Sequence, residues 1–169
     1  MSRTDLKIDI WAGFYFVFTA GEDRFLRSFY EVALMSYVGI HLDSCQAVPF
    51  NWADTSLVVV SGDGPNVCGH ALLRAGVFYF HIAEPLNRPY FMTEQNYHQY
   101  SREGRKRELF RRKIVLPNPA GAQRKLEGLS INRWLWLGIP NNCVSYVEEI
   151  LKAGGADESI VSNCPVLWQ

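Results

Sequence analysis

The chain has 169 residues, 48% of them apolar and 20% charged, with 17 basic and 17 acidic side chains. That composition excludes a disordered chain and predicts one globular domain over residues 1–169 with a substantial core. The formal net charge of zero argues against bulk nucleic-acid binding, which relies on a basic surface field.

The first apolar run, residues 10–20, lies between Asp9 and Gly21-Glu22-Asp23. It is too short to cross a bilayer as a helix. No basic leader and small-residue cleavage site frame it as a signal peptide. Synthesis in the cytoplasm is expected, with any export by a dedicated system. Its Trp, Phe, Tyr, Val and Thr content predicts a buried strand over 8–19. Residues 22–37 carry Phe25, Leu26, Phe29, Tyr30, Ala33, Leu34 and Tyr37, a spacing that predicts an amphipathic helix. Residues 45–55 show no clear period. Ser-Leu-Val-Val-Val-Ser over 56–61 predicts a short buried strand, followed by the turn cluster Gly62-Asp63-Gly64-Pro65-Asn66.

Two strands are expected over 69–74 and 77–82, joined at Ala75-Gly76. Residues 84–89 break the pattern, and a short helix is expected over 93–100. The basic stretch 102–113 holds Arg102, Arg105, Lys106, Arg107, Arg111, Arg112 and Lys113. It fits either a solvated face paired with Glu103 and Glu108 or a surface for an anionic partner. A strand over 114–116 ends at Pro117-Asn118-Pro119, and 120–126 is expected to be helical. Trp134 and Trp136 alternate with Leu135 and Leu137 just before the last helix. Core packing is their ordinary role, and a substrate groove is the other. The last helix spans about 142–153, with Gly154-Gly155 as its stop. The apolar tail 164–169 suits docking on the domain or on a partner.

Chemistry concentrates on Cys143. It falls in the first turn of that last helix, where free backbone N–H groups and a partial positive charge favour thiolate over thiol. His70 lies on the upstream strand. A two-residue turn at Ala75-Gly76 would set Arg74 opposite Val77 and His70 opposite His81, on one face of the hairpin. These residues predict a nucleophile (Cys143), a general base (His70) and an orienting group (His81). The Cys143 N–H and a neighbouring donor would form an oxyanion hole, and Asn142 would donate to it or cap the helix. A lone cysteine or histidine is ordinarily a core residue; the coincidence of the three features carries the expectation. Cys45, Cys68, Cys143 and Cys164 include no CxxC pair, so no zinc site, no other metal and no cofactor is expected. A disulfide among Cys45, Cys68 and Cys164 is left open by their spacing.

The Gly69-His70 strand, His81-Ile82-Ala83-Glu84-Pro85 and the Asn142-Cys143 helix resemble the circularly permuted branch of the NlpC/P60 papain-like superfamily. That branch includes lecithin:retinol acyltransferase-like proteins and places its histidine before its cysteine. The resemblance covers about 69–155, within a catalytic core over 56–155; residues 1–55 match nothing nameable. It implies an α+β fold, with an antiparallel sheet packed against the cysteine-bearing helix. It also implies His70 as base, His81 as the third polar residue with Glu84 as fallback, and Cys143 as nucleophile. One arm of the superfamily is amidases on peptidoglycan stem peptides. It includes interbacterial toxins such as type VI secretion effectors, which act in a target cell envelope and have immunity or delivery partners. Another arm handles lipid acyl groups, usually with a membrane anchor. The expected function is a cysteine amidase or peptidase on peptidoglycan, with no integral membrane segment. The alternatives are a thiol phospholipase or acyltransferase, and an inactive papain-like binding module.

Overall fold

The computed structural model describes residues 36–42, 50–62, 69–83, 88–133 and 142–157. Six strands form one sheet: β1 (Ile40–His41), β2 (Thr55–Val60), β3 (His70–Ala75), β4 (Phe78–His81), β5 (Tyr90–Thr93) and β6 (Glu108–Ile114). Their order is β1-β5-β4-β3-β2-β6, and every neighbouring pair is antiparallel. Three helices join them: α1 (Glu94–Glu103), α2 (Pro119–Ser130) and α3 (Cys143–Ala153). The expected α+β class, with an antiparallel sheet against the cysteine-bearing helix, is what the described residues adopt. Among them, no helix is long and apolar enough to cross a membrane.

Strand alternation divides the sheet into two apolar faces. Leu57, Val59, Ala71, Leu73, Ala75, Phe80 and Ile82 point to one side and pack with α2 and α3. Val58, Val60, Leu72, Tyr79 and Met92 point to the other and pack with Tyr97 and Tyr100 of α1. A sheet covered on both faces needs strands that are apolar throughout, and all six residues of β2 are buried. From α3, Tyr146, Val147, Ile150 and Leu151 are each at most 1% exposed; full burial of one such side chain contributes about 2 kcal/mol.

Each helix starts on a side-chain cap, which satisfies N–H groups that have no partner within the helix. Thr93 Oγ1 accepts from Asn96 N (3.3 Å) at α1. Asn118 Oδ1 accepts from Gly121 N (3.1 Å) at α2, with Pro119 in its first turn.

Three sequence expectations are corrected. The basic stretch is itself strand from Glu108 on, so β6 is an edge strand whose exposed Arg111, Arg112 and Lys113 suit a solvated sheet edge. Of the expected strand over 114–116, only Ile114 is strand, as the last residue of β6. β1 and β5 were not foreseen; both are short and lack a long alternating pattern. The N-terminal strand and most of the 22–37 helix lie outside the described residues; Ser36 and Tyr37 are not helical.

The hairpin register is the third correction. The two turn residues are Gly76 and Val77, so Ala75 pairs with Phe78, Arg74 with Tyr79 and Leu73 with Phe80. Gly76 takes φ 61, the positive value a type II′ hairpin needs at its first turn position. This choice keeps Ala75 fully buried in the core and leaves Val77, 56% exposed, at the tip. The register slides by two residues, so the sides of the sheet are preserved while the cross-strand partners change.

Two helical glycines test the packing. A Cβ on Gly121 would run into the Ala153 carbonyl oxygen at the end of α3 and the Asn118 side chain, whereas one on Gly128 would meet nothing. Gly121→Ala is expected to destabilise by about 1–3 kcal/mol through overpacking. Gly128→Ala is expected to stabilise by about 0.5–1 kcal/mol. Urea denaturation of both variants checks the pair, and equal shifts would show that α2 does not pack as described.

Candidate active site

Cys143 opens α3 behind a capping box. Asn142 Oδ1 accepts from Val144 N (2.9 Å) and Ser145 N (3.1 Å), while Ser145 Oγ accepts from Asn142 N (2.8 Å). Of the two roles open to Asn142, the capping role is therefore the one its oxygen fills. The thiol is 7% exposed, within the core formed with Ala71 and Leu73. Burial pushes the thiol pKa up, against hydrogen bonds from the backbone of Ala71, Cys143 and Val144 that pull it down. The helix terminus thus acts in the expected direction, but desolvation is the larger effect, and the resting sulfur is a thiol.

His70 is the first residue of β3, one step from the Ala71 amide that faces the sulfur. Its side chain goes with Leu72 and Arg74 toward the α1 face. Continuing the observed register sets Leu72, not His70, opposite His81. The two histidines are instead diagonal neighbours on one face, a separation that long side chains bridge. They do so here: His70 Nε2 and His81 Nδ1 are 2.9 Å apart. His81 is fully buried, stacked on Tyr90 and tilted against Tyr100, both at 5.6 Å between ring centres. Its Nε2 lies 2.7 Å from the Val38 carbonyl oxygen.

These distances fix the tautomers. A carbonyl only accepts, so His81 Nε2 carries a hydrogen. With His81 neutral, its Nδ1 is an acceptor, so His70 Nε2 carries the hydrogen between the rings. The lone pair of neutral His70 is then on Nδ1, and no hydrogen bond to it is found among the described residues. Neutrality follows from the surroundings. Burial first, then repulsion from His81 if it too were protonated and from the Lys106 ammonium, push the His70 pKa well down. Burial pushes His81 down to about 4, with the Val38 carbonyl opposing and Lys106 assisting.

The structure therefore joins His70 to His81, and brings Cys143 to the strand residue beside His70. The alternation of β3 sends the His70 side chain toward the α1 face, whereas Cys143, on α3, packs with Ala71 and Leu73 on the other face of the sheet. Trp134, Trp136, Glu84, Cys45, Cys68 and Cys164 lie outside the described residues. Among those described, no group of three or more His, Cys, Asp or Glu is placed to hold a metal ion. An open groove of about 430 Å³, lined by residues including Phe50, Trp52, Pro119, Gln123 and Arg124, contains none of the candidate catalytic residues. Sequence reasoning missed the Val38 carbonyl, Lys106 and the two tyrosines. A backbone carbonyl has no residue signature, and Lys106 was indistinguishable within its basic stretch.

The buried histidine makes stability depend on pH. In the unfolded chain it takes up a proton below about pH 6.5. The folded chain holds it neutral, so its contribution is complete above that pH and lost as pH falls toward the folded value. With His81 at about 4, lowering the pH from 7 to 5 should cost about 2 kcal/mol of unfolding free energy through this residue alone. Urea denaturation at the two pH values measures it. His81→Gln should flatten the dependence, and an unchanged slope in that variant would place the effect elsewhere.

No family model, curated protein or solved structure matches this chain.

Proposed function

We propose that the chain is a cysteine hydrolase acting through an acyl-cysteine intermediate, of the permuted papain-like kind. The substrate favoured is an amide bond of peptidoglycan stem peptides, cut by a toxin delivered into a target cell envelope. One observation carries the reading: the Val38–His81–His70 chain leaves an unprotonated nitrogen, His70 Nδ1, on the residue beside the amide that faces the Cys143 sulfur.

In this reaction His70 Nδ1 takes the thiol proton as the sulfur attacks the substrate carbonyl carbon. The resulting imidazolium keeps its Nε2–H bond to His81, and the tetrahedral oxyanion is met by the Cys143 backbone N–H at the start of α3. Breakdown of the tetrahedral intermediate returns the proton to the leaving amine and leaves the acyl group on sulfur. Water, activated by the same nitrogen, then hydrolyses the thioester. Because the resting pair is thiol and neutral imidazole, His70 works as a general base during attack. Catalytic contacts that are long without substrate tighten in the complex, which this scheme requires of Cys143 and His70.

The second reading is a non-catalytic papain-like binding scaffold. It is favoured by the burial of Cys143 on α3 and by the course of the His70 side chain, which leaves β3 toward the opposite face of the sheet.

Turnover separates them. Purified protein is incubated with peptidoglycan fragments and, in parallel, with anionic phospholipid vesicles, and products are read by mass spectrometry. Release of stem-peptide fragments is expected, abolished in Cys143→Ala and slowed roughly 10²–10⁴-fold in His70→Ala. Lipid products alone would move the substrate to the acyl-lipid class. Activity that survives Cys143→Ala would sink the cysteine mechanism, and no turnover of either substrate would favour the scaffold.

A further inference from the structure

The chain segment 36–42 supplies the one carbonyl that fixes the histidine pair, and it is tied down at both ends. At its start, Tyr37 N–H donates to Glu103 Oε2 (2.8 Å) and Ser36 Oγ–H donates to the Glu103 carbonyl oxygen (3.3 Å), at the last turn of α1. Gln99 Nε2 donates to the other carboxylate oxygen of Glu103 (2.8 Å), which holds the acceptor in place. At its far end, β1 pairs Ile40 with Phe91 and His41 with Tyr90, and Leu42 N–H donates to Pro89 O (2.9 Å). Between the anchors, Val38 O accepts from His81.

Gly39 makes this course possible. It takes φ 120, and a Cβ there would sit 3.0 Å from Phe91 O and 3.1 Å from Tyr90 Cβ. Tyr90 is also the ring that stacks on His81 (5.6 Å) and on His41 (4.3 Å). The strap and the imidazole are therefore packed against the same residue, and a side chain at position 39 would press on both.

We propose that this strap is the tautomer lock of the site, and that Glu103 is a positioning residue: by holding Tyr37 it aims the Val38 carbonyl at His81 and so keeps the basic lone pair of His70 on Nδ1. Without the carbonyl, His81 has no reason to carry its hydrogen on Nε2. Its Nδ1 can then become the donor, which turns His70 Nε2 into the acceptor and moves the His70 hydrogen to Nδ1. The base is lost although both histidines remain in place. Partners that orient an imidazole are typically worth about 10–100-fold in function at metal sites, and the same scale is expected here. The consequence for chemistry rests on the cysteine-hydrolase reading; the tautomer itself can be observed without any substrate.

The test uses full-length protein with ¹⁵N-labelled histidine at pH 7. Two-bond proton–nitrogen correlation spectra distinguish the pyrrole-type and pyridine-type nitrogens of each ring. Wild type should show His70 and His81 both with hydrogen on Nε2. Glu103→Ala and Gly39→Ala should each give mixed or inverted tautomers, while Glu103→Gln, whose amide oxygen can still accept from Tyr37 N–H, should stay close to wild type. In parallel, the rate of Cys143 alkylation by iodoacetamide should fall about 10–100-fold in Glu103→Ala and Gly39→Ala, toward the His70→Ala rate, and recover in Glu103→Gln. Unchanged tautomers in both disrupting variants would overturn the lock. Altered tautomers with an unchanged alkylation rate would uphold the lock and overturn the catalytic reading instead. Glu103 is solvent-exposed at the end of α1, so its variants are expected to fold.

Discussion

Side-chain alternation along β3 is the constraint on which the rest of the structure depends. Ala71, Leu73 and Ala75 face α2 and α3, and His70, Leu72 and Arg74 face α1. The two sets need different partners. Small residues on the first face let α3 approach closely enough for the Cys143 sulfur to meet the Ala71 amide. On the second face polar groups enter a buried layer and must be satisfied there, since an unpaired buried polar group costs about 1–3 kcal/mol.

That second face meets most of the demand with connected networks, although Arg74 Nε and Tyr37 Oη make no hydrogen bond among the described residues. Tyr79 is fully buried, and its hydroxyl donates to Glu94 (2.9 Å) while accepting from Arg111 Nη2 (3.1 Å). Arg111 also binds Glu108 (2.8 Å), which accepts from Tyr97 (2.9 Å). Tyr79 and Tyr97 stack with ring centres 4.1 Å apart. The hydrogen bond from Arg111 holds the Glu108 carboxyl below its ordinary range, so it stays ionised in weak acid. Arg111 lies in the basic stretch but belongs to this network, whereas Arg112 lies against the Phe110 ring (5.9 Å). The cations of one sequence run therefore serve different surroundings, because consecutive strand residues point to opposite sides.

The histidine pair belongs to the same layer and obeys the same rule. His81 cannot be solvated, so its two nitrogens are satisfied by Val38 O and by His70. Satisfaction and charge are distinct: burial, assisted by the Lys106 ammonium, keeps the neutral form stable against the Val38 carbonyl, which favours the charged one. Under the proposed hydrolase reading, the resting groups are a neutral imidazole and a protonated thiol rather than a preformed ion pair.

Much of this was legible in the residues alone. Apolar periodicity marks β2, β3 and α3. The Asn142 cap and the Gly154-Gly155 stop delimit the cysteine helix, because capping is a local interaction among neighbours in sequence. The presence of His70 and His81 on one face was also legible, since parity survives any even slip of a hairpin. The rest was decided in three dimensions. Ala75-Gly76 and Gly76-Val77 are both plausible turns, and the burial of Ala75 in the sheet core selected the second. The pKa of Cys143 follows the packing around it more than the helix terminus it opens, because desolvation depends on everything that covers the sulfur. The partner of His81 is a backbone carbonyl 43 residues away, and backbone groups are the same at every position. Only the folded path of the chain determines which of them faces a buried imidazole.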